Sequence, residues 1–580
     1  MTDKVGELGD IIDVALGKAE GDLLIKNGRI VNVFDESIDD ADVLIYRGKI
    51  VGVGKFENAK QVLDAEGAYV APAFTDSHMH IESTMCIPTE FAKAVAPLGT
   101  LTAVVDPHEI ANVAGADGIR FMIDNSKDLP VDIFFMLPSC VPAGPFESSG
   151  AELKAEDLKA FADEPRVLGL AEMMNYPGLL GKDGDVLDKI ALFSGRIMDG
   201  HSPGLTGREL DAYLSSGIMA DHECTTPQEA MEKLKKGMWI MMREGSLTRD
   251  ILRLLPIVND NTKHRILLCT DDKHPEDLVG EGHINFAIHL LTENGVPLAT
   301  AIRLATLNPA AFFGFKHKGG IAPGYDADMV VFDDILKIKG VYKSGALVAQ
   351  DGKAVFSTRA PAVAAINSVN IAPLDDCSFK VPALGDSMKV IGLRAESIFT
   401  DEIIAAPRVV NGCAESDTDR DIIKLAVVER HRATGKIGIG FVSGLGLKRG
   451  AFATSISHDS HNIIAAGEND GDMITAVNKL KETGGGIAVS LDGQVLGCLA
   501  LPYGGLMTDK PVGSTAQEFI RLCDIVKESN GVDIKNPFMT LSFISLAVCP
   551  KLKISTSGLV DVDRFELVDL FKGELEWISG

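Results

Sequence analysis

The sequence predicts an α/β protein in which a (β/α)8 TIM-like barrel is inserted into a small split β-sandwich and followed by a C-terminal α/β domain. Eight short apolar runs alternate with helical segments between about residues 69 and 272. Continuous apolar runs separated by helices are typical of a parallel sheet covered on both faces. Eight such units in about 240 residues match the count and size of a closed barrel. β-rich segments flank the barrel on both sides.

The domain boundaries follow from these changes in pattern. Residues 1–72 begin with a short acidic helix and continue as β-rich runs with turn signals at Asn27-Gly28 and Arg47-Gly48. Residues 73–315 form the barrel. Residues 316–382 return to the β-rich pattern, complete the sandwich and end in a linker rich in Ala, Pro and Ser. Residues 383–580 form the C-terminal α/β domain.

Composition narrows the class of protein. The chain has 580 residues, 46% of them hydrophobic, and a net charge of −26. Ordinary globular composition excludes disorder, and strong negative charge disfavours a nucleic-acid partner. Nine cysteines, an odd number without a CxxC pair, favour a reducing compartment. Neither a secretory signal nor a run long enough to span a bilayer is recognisable. We therefore expect a cytoplasmic protein without a membrane partner.

Ionisable residues follow the barrel strands at their carboxyl ends, where barrel enzymes build their sites. In the stretch FTDSHMHIESTM, strand alternation projects His78 and His80 to the same side. Other strand ends supply further imidazoles and carboxylates. Without thiolates, such a set suits Mn²⁺, Fe²⁺ or Zn²⁺. Six ligands are too many for one catalytic ion, so we predict two ions that share a bridging carboxylate. The predicted ligands are His78, His80, Glu172, His201, His222 and Asp271.

The strand-end pattern resembles the amidohydrolase superfamily, and several local signatures resemble its adenine deaminase family. These signatures are HMHIES, VVDPHEIANV, GHSPGL, DHEC, REGS, TDDKHPEDL and, near the C-terminus, SHDSHN. The match extends over essentially the whole chain. Many binuclear relatives bridge their ions with a carboxylated lysine, whereas this chain has Glu172 at that position. The resemblance implies two divalent transition-metal ions, with Mn²⁺ favoured and Fe²⁺ or Zn²⁺ as alternatives.

The resemblance also implies a reaction and a small-molecule purine substrate. Hydroxide on the metal would attack C6 of adenine, and hypoxanthine and ammonia would result, as in purine salvage. Asp271 would take the hydroxide proton and pass it to the leaving amine. Protonation of purine N1 needs a second group, for which Glu109, Glu223 and Glu82 are candidates.

Several further residues are candidates for substrate binding, each with a structural alternative. Acidic side chains cap helices, and neighbouring elements form ion pairs, so these residues need not touch a substrate. The loop SHDSHN could form a third metal site, a lid contact or a hydrogen-bonded turn. The candidates are Glu82, His108, Arg243, Glu244, His458, Asp459 and His461.

Two other functions compete with adenine deamination. Another amidohydrolase, such as an N-acetyl-sugar deacetylase or a cyclic amidase, would use the same ligands. A metal-free scaffold would lack part of the set, and this chain retains all of it. We expect a homodimer or a higher homo-oligomer.

Overall fold

A computed structural model of the chain describes residues 2–361, 363, 365–394 and 397–572. Its first sheet unites strands from both sides of the barrel segment, because Tyr69–Pro72 pairs with Met329–Asp334. The helix Thr2–Ala15 packs on this sheet through Val14. The strands of the sheet are Gly21–Asn32, Ser37–Tyr46, Lys49–Gly54, Ala59–Asp64, Tyr69–Pro72, Met329–Asp334, Lys337–Lys343, Ala346–Gln350 and Lys353–Ala354.

The two turn signals of this sheet have different outcomes. Arg47 and Gly48 both have positive φ, 50° and 74°, and form the tight hairpin turn before Lys49. The turn predicted at Asn27-Gly28 is wrong. Asn27 has φ 55°, but it lies inside the strand Gly21–Asn32 and shifts the register there. One left-handed residue within a long paired strand produces a bulge, because pairing continues on both sides of it.

The barrel segment forms a TIM-barrel-like α/β unit of parallel strands that pair in sequence order. One five-stranded arc is followed by a three-stranded arc. The amide of Met219 donates to the carbonyl of Met198 between the arcs, and a parallel bridge joins Met79 to Asp271 on the other side. The strands are Phe74–Met79, Thr100–Val105, Asp132–Leu137, Val167–Met173, Ile197–Gly200, Ala220–Asp221, Trp239–Arg243 and Ile266–Cys269.

Helices cover the outside of these strands. Most follow a strand directly, as in a βα repeat. The α-helices are Pro88–Val95, His108–Asn125, Ala155–Ala162, Tyr176–Gly181, Gly184–Leu192, Gly207–Ser215, Pro227–Lys235, Ile251–Leu254, Pro275–Gly280, Ile284–Glu293, Leu298–Leu304 and Leu307–Phe313. Short 3₁₀ turns lie at Ile81–Thr84, Ala96–Leu98, Leu255–Ile257 and Lys263–Arg265.

The barrel interior is packed and closed at its amino end. Phe312 and Phe313 pack there in one cluster with Trp239, the first residue of its strand. Strand contact is so close at Gly169 that a Cβ would lie 1.7 Å from the carbonyl oxygen of Ile197. With the amino end filled by apolar side chains, polar strand ends meet at the carboxyl face.

The C-terminal part of the chain forms a second large sheet with flanking helices. The strands of this sheet are Ser387–Leu393, Thr400–Ala405, Ile423–Val428, Ile437–Ser443, Ala451–Thr454, Ile463–Gly467, Gly486–Leu491, Gln494–Ala500 and Phe571–Lys572. Smaller sheets comprise Arg408–Val410 and Cys413–Glu415, and Leu552–Ser555, Gly558–Asp561 and Glu566–Val568. The helices are Asp470–Thr483, Val512–Ile525, the π-helical Val526–Asn530 and Pro537–Ile544.

This C-terminal part lies on the carboxyl face of the barrel. Thr508 donates its amide to Met85 and accepts from the amide of Ile87, just after the first barrel strand. The segment predicted as a linker is packed, because Val369 and Phe379 are buried in the core of the C-terminal part. Its Pro- and Ser-rich composition explains the lack of long regular elements, while its apolar residues fix it in place.

Two further properties bear on the sequence predictions. Within the described residues, no helix combines the length and the apolar character that a membrane crossing requires. The nine cysteines are free.

Candidate metal centre and active site

The ligands predicted from the strand ends come together around Glu172. Its Oε1 lies 3.6 Å from Nε2 of His78 and 3.4 Å from Nε2 of His80. Its Oε2 lies 2.6 Å from Nδ1 of His201 and 3.4 Å from Nε2 of His222. Each carboxylate oxygen therefore faces a different pair of imidazoles, which is the arrangement that a bridging ligand needs.

Asp271 joins the same cluster from the eighth strand. Its Oδ1 lies 3.2 Å from Nε2 of His80, and its ligand atoms group with those of His78 and His222. Asp271 has φ 57° and is bonded through its backbone to the end of the first strand. This left-handed conformation turns the side chain towards the centre after the strand has ended.

The outer hydrogen bonds of the two HxH histidines fix their tautomers. Nδ1 of His78 lies 3.0 Å from Oδ2 of Asp199, and Nδ1 of His80 lies 3.0 Å from the carbonyl of Asp106. Both oxygens only accept, so each Nδ1 carries a proton, and a neutral ring then keeps its lone pair on Nε2. Within the described residues, Nε2 of His78 is buried without a hydrogen-bond partner. These donor atoms fit a divalent transition-metal centre.

The buried carboxylate and imidazole groups of the cluster shift one another's pKa values. Burial raises the pKa of the Glu172 carboxyl, but hydrogen bonds from His201, His222 and His80 outweigh burial and hold that pKa well below its usual range. Burial lowers the pKa of His222, and the contact with Glu172 overcomes it and raises the pKa to about 9. Glu172 and His222 therefore stabilise each other's charged forms.

Arg243 links three buried carboxylates beside the centre. Its guanidinium contacts Glu223 through both terminal nitrogens, Oδ2 of Asp271 at 2.7 Å and Oδ2 of Asp250 at 3.2 Å. Burial raises the pKa of Glu223, but Arg243 and neighbouring imidazoles lower it overall. Glu223 is therefore held as a carboxylate, 3.6 Å from Nε2 of His222.

A cavity of about 2220 Å³ opens beside the cluster, between the barrel and the C-terminal part. His201, Glu223 and Arg243 line it. Among the described residues, neither Glu82 nor Glu109 belongs to its lining. The cavity therefore approaches the centre from the side of His201 and Glu223.

The other predicted substrate-binding residues are buried near the centre but face different partners. Glu82 accepts from the amide of Ile110 at 3.2 Å, and burial, followed by the charge of Glu109, raises its pKa to about 7. Glu244 lies in a charged group with Arg249 at 3.8 Å, outside the cavity lining. Glu82 therefore contacts the first turn of the helix after the second strand, and not the helix after the first strand that the capping alternative concerned, while Glu244 belongs to an ion-pair group.

His108, which follows the second barrel strand, lies beside the centre. Its Nδ1 is 3.0 Å from Oδ2 of Asp106 and 3.7 Å from Oε1 of Glu172. Its Nε2 is 3.9 Å from Oδ1 of Asp459 in the C-terminal loop. The loop SHDSHN therefore reaches the barrel mouth, where His458 and His461 flank Glu109.

Two supporting residues, Asp199 and Asp106, were missed by the sequence reasoning. Asp199 precedes His201 by two positions, so strand alternation alone could have placed it on the same side. Asp106 acts through its backbone carbonyl and its contact with His108, for which the sequence carries no signal.

Comparisons with known proteins agree over the whole chain. Residues 69–366 match the amidohydrolase family, and residues 397–566 match the adenine deaminase C-terminal domain. Adenine deaminase 2 of Carboxydothermus hydrogenoformans is 46% identical and covers 96% of this chain and 98% of its own length. Adenine deaminase of Petrotoga mobilis is 46% identical and covers 97% of this chain and 99% of its own length.

A solved crystal structure of an adenine deaminase overlays with a TM-score of 0.44 at 17% identity, covering 57% of this chain and 99% of that chain. The family assignment rests on the sequence matches. The chain belongs to the adenine deaminase family of amidohydrolases.

Proposed function

We propose that this protein hydrolyses adenine to hypoxanthine and ammonia with the help of two divalent metal ions. One observation carries the proposal. In a chain of which 96% matches an adenine deaminase, the two oxygens of Glu172 face two separate groups of imidazoles. That arrangement supports a binuclear centre bridged by Glu172.

The ligands divide into two groups around this carboxylate. His78, His80 and Asp271 would hold one ion, His201 and His222 would hold the other, and Glu172 would contact both. We favour Mn²⁺, with Fe²⁺ or Zn²⁺ as alternatives, because nitrogen and oxygen donors without thiolates suit each of them. When bound, such ions lower the pKa of coordinated water to about 7 and so supply the nucleophile at neutral pH.

Asp271 is our candidate for moving the proton. Its Oδ1 faces His80 at 3.2 Å and its Oδ2 accepts from Arg243 at 2.7 Å, so the carboxylate is fixed from both sides. A carboxylate held in this way would take a proton from the attacking water and deliver it to the departing amine.

Glu223 is our candidate for the contact with purine N1. Unlike Glu82 and Glu109, it lines the cavity, and Arg243 fixes its orientation. A carboxylate at this position would take the other proton of the attacking water and deliver it to N1, and would then accept a hydrogen bond from N1–H in hypoxanthine. Glu109, also predicted as catalytic, faces the C-terminal loop, so we assign it no contact with the purine.

The remaining predictions stand as proposals. We assign residues 1–72 and 316–382 to one split β-sandwich, 73–315 to a closed barrel and 383–580 to the C-terminal domain. The pairing of Tyr69–Pro72 with Met329–Asp334 supports the split module. Cytoplasmic location and a homodimer or higher oligomer stay predictions from the sequence.

A substrate panel tests the function against its nearest alternatives. Metal-free enzyme would be reloaded with Mn²⁺, Fe²⁺ or Zn²⁺ and assayed with adenine, adenosine, dihydrouracil and an N-acetylated amino sugar. We expect ammonia and hypoxanthine from adenine, and no hydrolysis of the cyclic amide or the acetamide. Turnover of either of these instead of adenine would contradict the proposal and favour a cyclic amidase or a deacetylase.

A further inference from the structure

The C-terminal loop Ser457–His461 places two histidines against a barrel carboxylate outside the metal centre. Nδ1 of His458 lies 3.2 Å from Oε1 of Glu109, and Nε2 of His461 lies 3.6 Å from Oε2. The side chains of the three residues are at most 6% exposed. Two imidazoles and a carboxylate at this spacing have the composition of a metal site.

The tautomer of His461 argues against a metal at this position. The backbone amide of Ser457 donates to Nδ1 of His461 at 3.1 Å, so that nitrogen uses its lone pair as an acceptor. A neutral imidazole has one lone pair and one N–H, which leaves the proton on Nε2. A protonated nitrogen cannot ligate a cation. Nε2 of His461 therefore presents an N–H to Glu109.

We propose that Glu109, His458 and His461 form a metal-free clamp between the two domains, in which both imidazoles direct N–H groups at the Glu109 carboxylate. His458 and His461 are positioning residues in this clamp. The clamp explains why a carboxylate at the barrel mouth faces away from the cavity and towards the C-terminal loop.

The clamp acts on the metal centre through the segment that carries Glu109. Glu109 lies in the first turn of the helix His108–Asn125, which directly follows Asp106 and Pro107. The carbonyl of Asp106 fixes the tautomer of His80, and His108 lies 3.7 Å from Glu172. Holding Glu109 therefore holds this whole segment in place against the centre.

Buried groups fix the loop that supplies the two imidazoles. Arg430 has no exposed surface, and its guanidinium donates to the carbonyls of His461 and Gly504 and to the hydroxyl of Ser368 at 2.9 Å. On the barrel side, Asn462 donates to the carbonyl of Ser148 at 2.8 Å. A loop that is held by hydrogen bonds on both sides can keep its two histidines in a single orientation.

Amide replacements separate a clamp of N–H groups around a carboxylate from a third metal site. Asparagine places an N–H donor near the position of Nδ1, and glutamine places one near that of Nε2, while neither amide nitrogen ligates a metal. The variants are therefore H458N and H461Q, each paired with alanine. His289, which packs on Phe286 in an outer barrel helix, gives the matched controls H289N and H289A.

The activity readout rests on the proposed function. We expect H458A and H461A to lower kcat for adenine at least about tenfold, as lost support of metal ligands does, with KM within about twofold. H458N and H461Q should recover most of the loss, and both controls should match the unsubstituted protein. A kcat for H458A and H461A equal to that of the controls would overturn the clamp, as would amide variants as impaired as the alanine variants.

Two readouts do not depend on the reaction. Metal analysis of Mn²⁺-loaded protein should give two ions per chain, unchanged in H458N and H461Q. A third ion that these variants lose would replace the clamp with a metal site. The Tm should fall in the alanine variants and return in the amide variants. If adenine is not a substrate, the proposed function fails, while metal content and Tm still show whether Glu109, His458 and His461 form the clamp.

Discussion

Replacing Asp199 with asparagine should weaken metal binding without disturbing the fold. Oδ2 of Asp199 accepts from Nδ1 of His78 at 3.0 Å, with both side chains no more than 3% exposed. The carboxylate keeps the proton on Nδ1 and directs the Nε2 lone pair towards Glu172. Asparagine preserves the shape of the side chain and removes its charge. It can also still accept from the amide of Gly200, as Oδ1 of Asp199 does.

The size of the effect follows from this one hydrogen bond. A buried hydrogen bond to a charged group contributes about 1.5–3 kcal/mol. Loss of most of that amount corresponds to about 10- to 100-fold weaker binding, the usual consequence of removing the partner of a ligating histidine. The two ranges agree, so we expect D199N to lower Mn²⁺ affinity by about that factor.

Competition against a chelator of known affinity measures the effect directly. A matched control is D185N, which removes a 44% exposed carboxylate that pairs with Lys189 and should leave affinity unchanged. Circular dichroism and Tm would establish that both variants are folded. Mn²⁺ affinity of D199N equal to that of D185N would refute the reasoning that Asp199 orients His78 for a metal.

Three other perturbations test separate parts of the structure. E172Q should reduce bound metal from two ions to one or none and abolish ammonia release, as metal analysis and assay would show. R243M should lower the free energy of unfolding in urea by about 3–5 kcal/mol, because it leaves three buried carboxylates without their partner. Burial raises the pKa of Asp328, but Lys343 and Lys318 lower it overall to about 2. Since the folded pKa lies below the unfolded value, D328N should lose about 2 kcal/mol at pH 7, and the difference from the unsubstituted protein should vanish in urea titrations as pH falls from about 4 to 2.

The strand periodicity made much of the fold and centre predictable. Strand alternation predicts that His78 and His80 project to one side. The parallel order of the strands predicts that Glu172 and Asp271 lie at the same, carboxyl end of the sheet. Both inferences need only local geometry and the rule that parallel strands end together. The same reasoning failed at Asn27-Gly28, because a turn and a bulge share the left-handed conformation and differ only in how the partner strand continues.

What the sequence left open depended on contacts between distant segments. Glu82, Glu109 and Glu223 were equivalent candidates in the sequence, and the position of the cavity now separates Glu223 from the other two. The C-terminal loop supports three interpretations by composition alone. Only the hydrogen bond from Ser457 to His461 shows which ring nitrogen carries the proton.

The central claim is that the strand-end ligands hold two ions that serve the hydrolysis of adenine. Titrating metal-free enzyme with Mn²⁺ while measuring ammonia released from adenine tests it in one experiment. We predict that activity rises until two equivalents per chain are bound and then stays constant, with hypoxanthine formed in equal amount. Full activity at one equivalent, or bound metal without release of ammonia from adenine, would contradict the account.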